Sequence, residues 1–544
     1  MTDWPRLTLF QAIERAAAAW PELEASVVDG KRIRHGAVAA EARRIAAGLL
    51  ALGVRKGDHI AVCTGNRLEW MTFFYGAALI GAVTVPVNTR FKAEELRYCL
   101  SQSDSTLLLV ADRFLKVDFI AMLRAIAPGI DGTLPDPALP RLRTVIVLGD
   151  DVPAGALPYA ALLAAGDAAV AGFDPARQPV DPDDPVLIQY TSGSTSFPKG
   201  AVLTHDGMLR NAWHVANRIG LTVGDRYFSA RPYFHVAGTT LSMLASLVQG
   251  ACLVTLPVFE TGAALKLLAD ERCTLASGNE PIFLMMLNHP DIGKYTYALR
   301  GGWAIGSRDT LQNAMDRLGM RFVCQGYGLS EASPNVWMNA WQDPPEVRFA
   351  GLGIPHAGLE VRIVDLETGR EQPPGVPGEI RVRGWSVMKG YYNMPERTAE
   401  TIDADGWLHT GDLGAAEGNG RVRFVARAKE MVRVGGENVA PADVESVLNS
   451  HPQVKHAEIV GVPDRRLEEV VAAYVILNEG ATITEAELIA WCKDRMAGFK
   501  VPRYLRFVDS FEPIGMTASA KVQKNRLRAD ALKAFGLEEL PGRG

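Results

Sequence analysis

The sequence predicts a multidomain α/β protein, and three observations carry that prediction. Helical patterns and short apolar strand patterns alternate from about residue 38 to about 330. Such alternation marks βαβ units and a parallel sheet covered on both faces. From about 345 the apolar period shortens to two, as in half-exposed strands. Finally, 544 residues exceed what one core serves, since single cores stop growing beyond about 250–300 residues.

Residues 38–53 place Val38, Ala42, Ile45, Leu49 and Leu52 at helical spacing, and Gly53 stands where a C-terminal cap belongs. A strand is predicted at His59–Cys63, a helix over Leu68–Ile80, a strand at Val83–Val87, a helix near Ala93–Ser101 and a strand at Thr106–Val110. Residues 127–184, rich in Pro, Ala, Gly and Asp, read as a looser connection. A second alternating block begins with the apolar run Val186–Tyr190. It includes strands Cys252–Leu256, Trp303–Ile305 and Arg321–Cys324, with helices around 261–272 and 309–319. Further on, Glu360–Val364 and Glu379–Arg383 alternate polar with apolar, and turns at Gly369 and Pro373–Gly378 make this a small antiparallel sheet or barrel. After Arg427 a mixed helix-and-strand pattern resumes, with no internal repeat or heptad run.

Bulk properties narrow the function classes. With 48% hydrophobic and 22% charged residues the composition is that of a soluble globular protein, and a net charge of −5 gives no support for nucleic-acid binding. The N-terminal segment carries acidic residues and no signal-like apolar core, so a cytoplasmic location is expected. The most apolar run, Ala77–Val87, is too short to span a bilayer and is broken by Pro86, so no membrane span is expected. Six scattered cysteines without a CxxC pair suit reduced, buried thiols.

Tyr190–Gly200, YTSGSTSFPKG, is the most informative stretch. Read as a strand-to-helix loop, it offers hydroxyls from Thr191, Ser192, Ser194, Thr195 and Ser196. Gly193 and Gly200 supply backbone freedom, and Lys199 a point charge. Such a loop suits phosphate oxygens, although plain loop composition is the alternative. It lacks the Gly-Lys-Ser/Thr ending of a Walker loop. Elsewhere, His235 lies in PYFHVAG, where a satisfied core histidine is the rival reading. Gln325-Gly326-Tyr327-Gly328-Leu329-Ser330-Glu331 follows a strand, at the edge where open α/β sheets bind ligands. Glu331 there is either a surface acid or a Mg²⁺ ligand sharing the metal with phosphates. GWLHTGDL ends near Asp412, Arg427-Ala428-Lys429 precedes Gly435-Gly436, and Lys521 sits in TASAKVQK.

Together and in this order these motifs resemble the adenylate-forming superfamily, over nearly the whole chain, and most closely its acid:CoA ligase branch. The resemblance implies a fold: a large N-terminal domain, residues 1–427, of two layered αβ subdomains (about 1–184 and 185–340) and a β-barrel (about 345–427). A small mobile α+β domain, 428–544, is joined to it at Lys429. It also implies the reaction: a carboxylic acid is activated by ATP with Mg²⁺ as an acyl-adenylate, then passed to coenzyme A. Thr191, Ser192, Gly193, Ser194, Thr195 and Lys199 are implied to hold the β- and γ-phosphates, with Glu331 on Mg²⁺ and Ser330 on the α-phosphate. Gly306, Ser307 and Tyr327 are implied to flank adenine and Gln325 and Gly326 to bind the nucleotide, Asp412 takes the ribose hydroxyls, and Arg427 reinforces that end. Lys521 bridges the substrate carboxylate and α-phosphate, Gly435 and Gly436 border the CoA tunnel, and His235 gates it. The acyl pocket is assigned to Gly238, Trp303, Gly328 and Trp337.

Ser196, Ala426 and Ala520 depart from glycines common in that family. No aspartate follows the aromatic of PYFHVAG, against amino-acid activation. Gly328 replaces a pocket-closing tryptophan of acetate-specific members, which leaves room for a medium-sized monocarboxylate. Asn279 and Glu280 read as a solvated face or as contacts to a substituent. No arginine or lysine is clearly placed for a second carboxylate. A luciferase-like or stand-alone adenylating enzyme and an acyl-adenylate-binding pseudoenzyme are the alternatives, and the oligomeric state, a homodimer included, stays open.

Overall fold

The computed structural model describes residues 4–191, 198–435, 437–516 and 522–537. Within them the chain divides into two compact units, Met1–Glu360 with Val382–Leu408, and Val361–Arg381 with His409–Gly544. The expected boundary at 427/428 lies inside the second unit.

The first unit is built on two seven-stranded sheets. One runs Lys199–Thr204, Pro185–Thr191, Val83–Pro86, His59–Cys63, Leu107–Ala111, Thr144–Leu148, Leu157–Pro158. It is parallel except that Lys199–Thr204 pairs antiparallel with Pro185–Thr191. The other runs Val323–Cys324, Gly301–Ile305, Leu275–Asn279, Arg226–Ser229, Cys252–Thr255, Glu24–Val28, Lys31–Arg34, parallel but for its last pair. Strands cross the expected subdomain line at 184/185: Glu24–Val28 joins the second sheet and Pro185–Thr191 the first.

Strand alternation makes the layers. Ile60, Val62, Leu107 and Leu109 face a central core shared with Tyr227, Leu253 and Leu275 of the other sheet and with helices His35–Ala51 and Leu68–Leu79. The alternate residues Ala61, Leu108 and Val110 face helices Ala93–Gln102 and Phe119–Ile126 on one outer side. Phe228, Val254 and Ala276 face Thr261–Asp270 and Arg308–Leu318 on the other. Strands buried on both faces are apolar throughout, which is why LLLVA at 107–111 shows no alternation.

Residues 127–184 are more ordered than their composition predicts. They contain the strand Thr144–Leu148 and the helix Tyr159–Ala169, packed on His35–Ala51. The small residues that read as a loop serve that packing. A Cβ at Gly166 would lie 2.3 Å from Arg44 O, and one at Gly48 2.5 Å from Leu162 O.

A four-stranded sheet, most of whose residues belong to the second unit, takes Leu359–Val364, Gly378–Gly384, Leu408–Ala416 and Val422–Arg427 in chain order. A five-stranded sheet follows, centred on the long pair Val454–Asp464 and Glu468–Leu477. The half-buried Lys524 ammonium is paired with Glu445 and Glu458, and so ties the helix Lys524–Ala534 to that sheet and to Pro441–Asn449. Among the described residues no helix is long and apolar enough to cross a membrane.

Buried histidines set an acid limit. His35 and His205 are each 1% exposed, and burial pushes both imidazoles down to about 4 from 6.5. His205 Nδ1 accepts from Leu9 N at 3.1 Å, which needs that nitrogen unprotonated. A histidine that binds its proton less tightly when folded contributes stability that is complete above pH 6.5 and is lost as pH falls toward 4. The expected loss is about 2 kcal/mol each by pH 5. Urea unfolding between pH 7.5 and 4.5 checks this, and His205→Gln should flatten part of the slope.

Candidate active site

Several expected site residues gather at the C-terminal edge of the second sheet, where its parallel strands end. Ser307 caps the helix Arg308–Leu318, its Oγ accepting from Thr310 N at 3.3 Å. Ser307 N donates to Glu280 Oε1 at 2.9 Å, and Thr310 Oγ1 donates to the same oxygen at 2.8 Å. Glu280 is therefore a brace for this turn rather than a solvated acid. Gly306 N donates to Gln325 Oε1 at 3.4 Å, and Gln325 Nε2 donates to Arg348 O at 2.9 Å. These bonds join Gly306, Ser307 and Gln325 into one rim. Asn279 caps the helix Glu280–Leu287 through Ile282 N at 3.2 Å.

Gly326-Tyr327-Gly328 forms a strand paired with Asn335–Met338. The Tyr327 ring stacks on Trp337, centroids 4.3 Å apart, and both rings are buried. Trp337 is thus spent on supporting Tyr327. A Cβ at Gly328 would lie 2.0 Å from Pro334 O, and one at Gly238 2.1 Å from Pro232 O. Both glycines are required by close backbone approach, so Gly328 does not by itself signal a roomier pocket. His235 is exposed, its Nδ1 accepting from Ala237 N at 3.2 Å as the cap of Val236–Gly238.

The ends of Tyr190–Gly200 pair as antiparallel strands, so the stretch leads into a strand and not directly into a helix. Thr191 pairs with Lys199, and the helix starts only after the strand Lys199–Thr204, capped by Thr204. Lys199 therefore sits at the start of that strand. Its Nζ lies 4.3 Å from the Tyr391 ring centroid, and Tyr391 Oη donates to Glu331 Oε1 at 2.8 Å. Two residues far apart in sequence are thus joined through a tyrosine that sequence reasoning missed. Its only signal was the aromatic pair in Lys389-Gly390-Tyr391-Tyr392-Asn393. Burial, and then the Glu331 carboxylate, push the Tyr391 phenol well up, so it stays a hydrogen-bond donor. Ser330 and Glu331 begin a single 3₁₀ turn, half-buried, with Glu331 O accepting from Met388 N at 2.8 Å.

In the second unit Asp412 is buried and lies opposite Arg427 across an antiparallel pair, Oδ1 to Nε 3.6 Å. Thr410 Oγ1 accepts from Asp412 N at 3.1 Å, which fixes the bend that carries the carboxylate. Lys429 is exposed in the short turn Ala428–Glu430, directly after that strand. Gly435, at φ +60°, opens the two-residue connection between Val432–Val434 and Glu437–Val439, a turn that favours glycine. Ser192, Gly193, Ser194, Thr195, Gly436 and Lys521 lie outside the described residues.

Comparisons with known proteins agree over the whole length. A family model described as AMP-binding enzyme matches residues 13–392, and one described as AMP-binding enzyme C-terminal domain matches 443–521. The medium-chain acyl-CoA ligase ACSF2, mitochondrial, of Rattus norvegicus is 33% identical over 540 residues, covering 96% of this chain and 87% of its own. A 3-(7a-methyl-1,5-dioxo-octahydro-1H-inden-4-yl)propanoyl:CoA ligase of Rhodococcus jostii (strain RHA1) is 37% identical over 539 residues, covering 97% and 100%. The crystal structure of the anthranilate CoA ligase AuaEII with anthranoyl-AMP superposes with TM-score 0.87 at 25% identity, covering 98% and 99%.

Proposed function

This chain belongs to the AMP-binding enzyme family and is an AMP-forming acid:CoA ligase using ATP, Mg²⁺ and CoA, and from that premise we propose which residues do the work and on which acids. The observation that carries the site reading is the Lys199–Tyr391–Glu331 link, which brings a cation for phosphates and a carboxylate for a metal to one place.

The reaction joins two anions. A carboxylate oxygen bonds to the α-phosphorus of ATP as the bond to pyrophosphate breaks, and the CoA thiol then displaces AMP from the acyl carbon. Positioning and charge stabilisation supply most of the rate in such transfers. Glu331, with one oxygen held by Tyr391, suits Mg²⁺, which takes one or two protein carboxylates and completes its shell with phosphates and water. The metal supplies neutralisation of the phosphate charge. Lys199 and the loop before it hold the β- and γ-phosphates, Ser330 the α-phosphate, and Gly306, Ser307, Gln325 and Tyr327 the adenine. Asp412 accepts from the ribose hydroxyls with Arg427 holding it in place. Lys521 reaches the α-phosphate in one orientation of residues 428–544, which turn about Lys429 to bring Gly435 and Gly436 to the thiol, with His235 as gate.

The acid is of medium size, a reading supported by the medium-chain relative and the two-ring substrate of the Rhodococcus enzyme. A cytoplasmic enzyme fits six buried, unpaired cysteines. Pyrophosphate and AMP release across straight-chain, alicyclic and aromatic acids, with and without CoA, tests the proposal. A CoA-independent product or no release with any acid would overturn it. Tyr391→Phe is expected to lower kcat/KM for ATP about 10-fold, the scale of one hydrogen bond to a charged group. Pyrophosphate exchange at varied ATP measures it.

A further inference from the structure

Arg231 is a cation without an anion, in a part of the first unit that sequence reasoning left without any basic group. It follows the strand Arg226–Ser229 at the sheet edge that also carries Gly306 and Gln325. Its Nη2 donates to Gly278 O at 2.6 Å and its guanidinium carbon lies 4.1 Å from the Trp303 ring centroid. Nε is buried and has no hydrogen-bond partner among the described residues. Among the described residues no carboxylate pairs with it, and the titratable neighbour acting on it is the Tyr227 phenol. Burial pushes the guanidinium down to about 10, so it stays charged at neutral pH.

Arg231 is half-buried, and a charge held partly out of water with one donor closed off is costly, a cost an apolar residue in this place would not carry. The surroundings hold the group still. Trp303 Nε1 donates to Tyr227 Oη at 2.8 Å, and Tyr227 Oη donates to Leu241 O at 3.2 Å, which fixes the ring under the guanidinium. Arg231 O accepts from Asn66 Nδ2 at 3.0 Å, and Asn66 Oδ1 accepts from Tyr233 N at 2.7 Å. Ile305, two residues beyond Trp303 and so on the same strand face, is 54% exposed, which leaves this shelf open at the strand end.

We propose that Arg231 is a specificity-determining residue that receives an oxygen acceptor, a ketone or a second carboxylate, carried by the acyl substrate away from the carboxyl group that is activated. The proposal rests on the ligase reading with Trp303 in the acyl pocket. Planar oxygen acceptors match the guanidinium fork, and the Nε donor left unused by the protein is satisfied by them. Plain alkanoic acids leave both the charge and that donor uncompensated. The substrates are therefore oxo- or carboxy-substituted acids.

The test compares AMP formation from octanoate, 7-oxooctanoate and octanedioate, with the matching six- and ten-carbon sets, in the full-length enzyme. Either the oxo or the dioic acid is expected to exceed the plain acid at least about 10-fold in kcat/KM, and the arm that rises identifies the acceptor. In Arg231→Leu that ratio should fall about 10- to 100-fold, while Arg231→Lys keeps part of it. Plain acids equal to or better than both substituted sets at every length overturn the proposal, and this wild-type comparison decides even where a variant fails to fold. A folded Arg231→Leu enzyme, checked by thermal melting, with an unchanged ratio also overturns it. Acids that turn over without preference remove only the Arg231 assignment. No AMP from any acid in a broader panel removes the ligase reading and the assignment with it.

Discussion

Lys521→Ala is expected to lower acyl-adenylate formation by about 10²- to 10³-fold, with thioester formation from supplied acyl-adenylate and CoA retained. The cause is electrostatic. In the first step the attacking carboxylate and the α-phosphate repel, and a single ammonium between them lowers that repulsion most where charge gathers, in the transition state. In the second step the acid is already esterified and that repulsion is gone. Met516 and Val522 bridge antiparallel on either side of residues 517–521, and three residues on Lys524 is half-buried between Glu445 and Glu458. Met516 and Val522, the described residues that flank this stretch, are held in the second unit's core. Separate assays of pyrophosphate release and of CoA thioester from pre-made adenylate check the split. Equal loss in both would remove the proposal that two orientations serve the two steps.

Glu331→Gln should cost about 10²-fold in adenylate formation at low Mg²⁺ and raise the Mg²⁺ concentration needed for half-maximal rate about 10-fold or more. Glutamine keeps the shape and an oxygen for Tyr391 Oη, so the hydrogen bond at this corner survives while the negative charge does not. Stability should change by less than about 1 kcal/mol, because the side chain is only half-buried. A Mg²⁺ titration of pyrophosphate exchange measures the shift. An unchanged Mg²⁺ requirement would move the metal to another residue.

Much of the molecule was legible in the residues because its signals are local. The strands His59–Cys63 and Leu107–Ala111 are unbroken apolar runs, and a run of that length has few places to go except a buried parallel strand. The cross-strand pair of Asp412 and Arg427 and the two-residue turn at Gly435 follow motifs read along the chain. Where reading failed, the residue's neighbour was remote. Gly166 read as part of a looser connection, yet it is where that segment's helix backbone touches the helix that carries Gly48. Lys199 read as the end of a loop before a helix, because Ala201–Leu203 is too short to declare itself a strand without its partner Leu187–Gln189.

By itself the sequence determined the α/β class, the family resemblance and the types of charged group the chemistry requires, since propensity, period and motif order are properties of neighbouring residues. The tertiary structure alone decided that Tyr391 joins Lys199 to Glu331, that Trp337 supports Tyr327, and that Arg231 lies over Trp303 with no carboxylate partner among the described residues. Burial and pairing depend on which distant strand arrives alongside, and no local pattern encodes the cost of a buried charge until the groups around it are in place.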